Sequence, residues 1–117
     1  MGKRGRRRER EEPAAAATVA YADDDGNVLT VRERVSPGTA RKLAEPVGRA
    51  AASADDMWRR RTELLFERFA VSWTIAGLPL TGQKELLGRY RMADQATQQW
   101  VRDTLDRHVR DHQPELA

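Results

Sequence analysis

Cysteine is missing from all 117 residues, which removes disulfides, thiolate zinc sites and thiol nucleophiles together and fits a reducing compartment. Histidine occurs twice and the aromatic residues number seven, so imidazole chemistry and stacking platforms are both scarce. Long apolar runs are missing too. The longest, Phe69 to Leu80, spans twelve residues and contains Ser72, Thr74 and Pro79, against the ~20 that a membrane span needs. The basic N-terminus has no apolar stretch behind it and so lacks the pattern of a secretory signal. These absences predict one cytosolic domain with a modest core and no membrane segment.

Charge, by contrast, is abundant and unevenly placed. Residues 1–12, "MGKRGRRREREE", hold six cations (Lys3, Arg4, Arg6, Arg7, Arg8, Arg10) against three anions, while residues 13–117 carry fifteen of each. The whole excess of +3 therefore belongs to the start of the chain. No aromatic residue is interleaved there for base stacking, so a solvated tail is the simpler reading and a nucleic-acid arm the alternative. Residues 1–17 are read as a disordered basic tail and linker, 18–112 as one domain, and 113–117 as a C-terminal tail.

The domain opens with a hairpin pattern. "TVAYA" (18–22) and "VLTVRERV" (28–35) alternate β-branched or aromatic residues with others, and "DDDGN" between them holds the Asp25-Gly26 turn pair. A calcium loop is excluded by spacing, since Gly26 stands fourth from Asp23 and Arg34 twelfth, where such a loop needs Gly sixth and Glu twelfth. Ser36-Pro37 predicts a cap and first turn of a helix interrupted near Pro46. Residues 47–54 read equally as helix or loop.

A second helix is predicted from a cap at Asp55 or Asp56 to Gly77, with Trp58, Leu65, Phe69 and Trp73 along one stripe. Arg59, Arg60 and Arg61 lie within helical reach of Asp55, Asp56 and Glu63 and read as a solvated face. "GLPLT" then reads as a hinge between packed helices, with Leu78 and Leu80 plugging the core and Thr81 capping the next helix. It is no phosphate loop, because Gln83-Lys84-Glu85 replaces the required ending. The last helix starts at Asp94 and puts Trp100, Val101, Thr104, Leu105, His108, Val109 and His112 to one side. The predicted class is α+β: an N-terminal β-hairpin followed by a small bundle of three or four helices.

His108 and His112 have the four-residue spacing that lets two imidazoles share a metal, but the residue after the first is Val109, not a glutamate base, and both sit where the helix dipole favours His. Ser36, Ser53 and Ser72 have no histidine nearby in sequence. The expectation is no enzyme, metal or cofactor.

The succession "DGNVLTVRERVSPGTARKLAE", "ERFAVSWTI" and "GLPLTGQKELLGRYRMADQATQQWVRDTLDRHV" resembles the tail assembly chaperones of long-tailed bacteriophages that infect actinobacteria. The resemblance rests on Leu29 to Glu33, Ser36 to Gly38, Val71 with Trp73, Pro79 to Thr81, and Trp100 to His108, and covers residues 18–110. The arginine-rich start and Trp58 stand outside it. It implies a non-enzymatic protein of the bacterial host cytosol that binds tape-measure and tail-tube proteins during assembly and is absent from the finished particle. Trp73 is expected in the core. Trp58, Leu87, Tyr90 and Trp100 are the expected partner-binding residues, the last three as one apolar patch rimmed by Arg89 and Arg91. Self-association is left open.

Overall fold

The computed structural model describes residues 17–45 and 53–117; the tail cations at 3–10, and most of the stretch read as helix or loop, lie outside them. The class is α+β. Strands β1 (Thr18–Ala22), β2 (Val28–Arg32), β3 (Ala70–Ile75) and β4 (Leu78–Leu80) form one antiparallel sheet in chain order, and helices α1 (Pro37–Ala44), α2 (Ala54–Phe69), α3 (Gln83–Met92) and α4 (Gln95–His112) accompany it. Among the described residues no helix is long and apolar enough to cross a membrane.

The first hairpin forms as its turn chemistry dictates. Asp23 Oδ1 accepts the backbone N–H groups of Asp25 (2.8 Å) and Asn27 (3.0 Å), and Gly26 takes φ +83°, so the acidic side chain that begins the loop is engaged by the turn itself. Ser36 caps α1 through Thr39 N and Asp94 caps α4 through Thr97 N, as their side chains predict.

Two elements depart from the sequence reading. The second helix stops at Phe69, eight residues before Gly77, and "AVSWTI" continues as β3. Its stripe at Phe69 and Trp73 satisfies both a four-residue and a two-residue period locally, and the β2 ladder decides between them: Leu29 pairs with Trp73 and Thr30 with Ser72. "GLPLT" is thus no hinge between helices. Ala76 and Gly77, both at positive φ, form the two-residue turn of a β3–β4 hairpin in which Leu78 pairs with Ile75. Leu80 packs against the core, but Leu78 is 70% exposed. Cap assignments shift as well. Ser53 accepts from Asp56 N at the start of α2, and α3 begins after Gly82 with no side-chain cap from Thr81.

The helices bury Leu29 and Val31 of β2 and Trp73 of β3 on one side of the sheet, together with Leu65, Phe66 and Phe69 of α2, Leu86 and Tyr90 of α3, and Val101, Leu105 and Val109 of α4. Phe66 lies edge-on to Trp73 and stacks on Tyr90. On the opposite side Ala20, Ala22, Val28, Thr30, Ser72 and Thr74 remain exposed or half-exposed, and no described helix covers them. The last residues are not a tail. Pro114–Leu116 form a 3₁₀ turn whose Leu116 is buried, and Gln113 is buried beside it.

Candidate binding surfaces

Around α2, sequence and packing leave apolar groups at the surface between charged ones. Trp58, in the first turns of α2, is 44% exposed, next to Met57 at 38%. Arg102 of α4 lies over its indole, with the guanidinium carbon 5.3 Å from the ring centroid. This is the distance of a cation–π contact. Sequence reasoning named Trp58 but missed Arg102, because residues 44 positions apart give no periodic signal.

A shallow groove of about 350 Å³ lies between α2 and α3, with Leu64 and Leu87 among its lining and Arg60, Glu63, Glu67 and Arg91 around them. Arg91 bonds Glu63 through both Nη2 (2.8 Å) and Nε (3.1 Å), a two-point contact that ties α3 to α2 along the rim. On the other flank of α2, a smaller groove of about 240 Å³ joins Trp58 to Arg61, Asp106 and Val109. Asp106 has its carboxyl held above the usual range, chiefly by burial. Leu87 of α3 and Trp58 of α2 thus line grooves on different flanks of α2.

The other two expected anchors are placed differently. Tyr90 is 5% exposed and stacked on Phe66 at a centroid distance of 5.2 Å; burial raises its phenol pKa. It is a core residue, because at α3 position 90 the side chain falls on the same face as buried Leu86. Trp100 is half-buried and packs against the core. The patch expected from Leu87, Tyr90 and Trp100 together is therefore not built: Tyr90 faces inward, Arg91 closes on Glu63, and Arg89 lies 6.0 Å from the ring of buried Trp73.

Where β2 ends and α1 begins, a cleft of about 760 Å³ is lined by Arg32, Arg34 and Arg68 with Glu67, Ser36 and Thr39 among others. Arg34 is engaged by Glu115 at 3.0 Å and by the His112 carbonyl. Arg32 and Arg68 have no ion-pair partner among the described residues. Nothing in the sequence singled these arginines out, since they come from separate segments.

The two histidines form a structural knot. His108 is fully buried, and its Nε2 faces the carbonyls of Arg32 (2.9 Å) and Glu33 (3.2 Å). Carbonyls only accept, so Nε2 carries the proton; Nδ1 then accepts from the Tyr21 hydroxyl at 2.6 Å. Burial is the main cause of a pKa below the ordinary histidine value, with His112, whose ring stacks at 4.5 Å, acting in the same direction. Both nitrogens of His108 are committed to the protein. The shared-metal geometry that their spacing allows is used to tie α4 to the β1–β2 hairpin.

Comparison with known proteins finds no family model, no curated protein and no solved structure that matches this chain.

Proposed function

We propose that the chain is a non-enzymatic binding protein of the tail assembly chaperone kind, acting in the bacterial host cytosol and holding a tape-measure or tail-tube protein on the outer face of α2. Trp58, which lies outside the resemblance, carries the binding half of this reading: at 44% it is the most exposed of the three tryptophans, and Arg102 lies over it beside Met57. Tryptophan and arginine are both enriched in interface hot spots, and truncating such a residue typically costs about 2 kcal/mol or more of binding. The groove beside it adds Arg61, Asp106 and Arg110 as the polar rim that surrounds such an anchor. The likeness in layout to the phage chaperones over residues 18–110 supplies the class of partner.

Trp58→Ala tests the reading in co-expression with the tape-measure and tail-tube proteins of the same genome. The expected result is loss of co-purification with a thermal midpoint within about 2 °C of the parent, since surface substitutions rarely change stability by more than ~0.5 kcal/mol. Leu87→Ser, on the other flank, should weaken capture less. Capture unchanged by Trp58→Ala removes the anchor, and no capture of either protein by the parent chain removes the chaperone assignment.

A further inference from the structure

From the free edge of β1 we infer that this protein self-associates through β1, two copies pairing antiparallel about Ala20 to make one eight-stranded sheet. The hydrogen-bond pattern identifies which backbone groups are free. Glu33 N–H donates to Ala17 O and Asp23 N–H to Asn27 O, each at 2.9 Å. These bonds bracket the β1–β2 ladder, whose register runs from Thr18 opposite Arg32 to Ala22 opposite Val28. Hydrogen-bonded and non-hydrogen-bonded pairs alternate in an antiparallel ladder, so Val19 and Tyr21 point their N–H and C=O groups at β2. Those of Thr18, Ala20 and Ala22 point away from it, at the sheet's outer edge.

The two edges of the sheet are not equivalent. β4 has three residues and a central proline, Pro79, both of which discourage further pairing. β1 has five residues, "TVAYA", with no charge, no proline and no break in its register. In a chain that is 33% charged, that edge carries, among the described residues, none of the usual protection against another strand.

Its register is self-complementary. A twofold axis through Ala20 sets Ala20 opposite Ala20, and Thr18 opposite Ala22, of the second copy. All three outward residues then meet outward residues, a condition that a register centred elsewhere on the strand meets for fewer of them. The side chains brought together on the open face are small and uncharged, so nothing opposes close approach. Charge selects the orientation. Asp23, Asp24 and Asp25 follow the strand directly. Antiparallel pairing sets these acidic ends at opposite ends of the seam, whereas parallel pairing would bring them together. The contact is isologous, as in most soluble dimers, and leaves α2 of both copies free.

The absence of native cysteine makes the register measurable. The full chain is followed by sedimentation velocity over a concentration series, with single cysteines introduced at the edge. The parent should shift from monomer to dimer as concentration rises. Ala20→Pro deletes an N–H that the monomer does not use, at the kind of edge position where proline is tolerated, and should weaken the dimer about tenfold or more by removing both bonds across the axis. Unchanged circular dichroism confirms that this variant folds. Under mild oxidation Ala20→Cys should cross-link to itself, its Cα separation of roughly 5.5 Å suiting a disulfide. Thr18→Cys should not, because the two copies of position 18 lie about 13 Å apart along the strands. A parent that stays monomeric at every concentration overturns the inference. So does a dimer that Ala20→Pro leaves intact, or cross-linking through Thr18→Cys as efficient as through Ala20→Cys.

Discussion

His108 shows how a single residue's environment sets a measurable property. Its imidazole is enclosed by Tyr21, Phe69, His112 and the carbonyls of Arg32 and Glu33, with the Glu33 carboxylate 3.7 Å from His112 Nδ1. The folded-state pKa lies below the unfolded value of about 6.5. The unfolded chain therefore binds a proton more readily than the folded one, and folding is favoured above about pH 6.5 and loses that contribution as pH falls through the folded pKa. Thermal unfolding of the parent should show a midpoint that falls as the pH drops from about 6.5 toward the carboxylate range. His108→Gln should be less stable at neutral pH but flatter across that window. An equally steep slope in the variant would mean that His108 is not the group responsible.

At the scale of an element, the β3–β4 hairpin carries a local conflict. Ala76 sits at φ +52° in the first central position of a turn whose second is Gly77 at +81°. Two positive φ values match the twist of the strands, but the left-handed region costs a residue with a Cβ about 1–2 kcal/mol. Asn27 offsets part of this by accepting the Ala76 N–H at 3.0 Å, a bond that also links the tips of the two hairpins. Ala76→Asn keeps that N–H and brings the residue type such turns favour, so it should raise stability by about 1 kcal/mol in urea unfolding. Gly77→Ala should lower it by a similar amount. A Cβ there would meet nothing within 4 Å, which makes that loss one of backbone strain alone.

Across the whole molecule, the C-terminal residues close the structure between distant segments. Gln113 accepts the Val35 N–H through Oε1 at 2.9 Å and donates Nε2 to the Val35 carbonyl at 3.1 Å, and both residues are buried. Arg61 of α2 reaches the Leu116 carbonyl and, at 3.5 Å, that of Leu43 in α1. Residues 113–117 thereby join α1, α2 and the end of β2. Gln113→Ala leaves a buried donor and acceptor of Val35 without partners, which should cost about 2–4 kcal/mol. A change under about 0.5 kcal/mol, the size usual at an exposed site, would mean that the last turn does not hold these segments together.

The sequence by itself determined what depends on neighbours in the chain. The Asp23-to-Asn27 turn, the Ser36 and Asp94 caps, the inward side of α4 at Val101, Leu105, His108 and Val109, and the α+β class all follow from contacts within a few residues or from a single period. The tertiary structure decided whatever needed a distant partner. No glycine or proline ends α2 at Phe69, so only pairing with β2 could turn "AVSWTI" from helix to strand and "AG" from a helix end to a hairpin turn. The binding residues divide in the same way. Aromatic identity singled out Trp58 and Tyr90 alike, yet one lies at the surface under Arg102 and the other is stacked on Phe66 in the core, because which side of a helix faces the core depends on what packs against it.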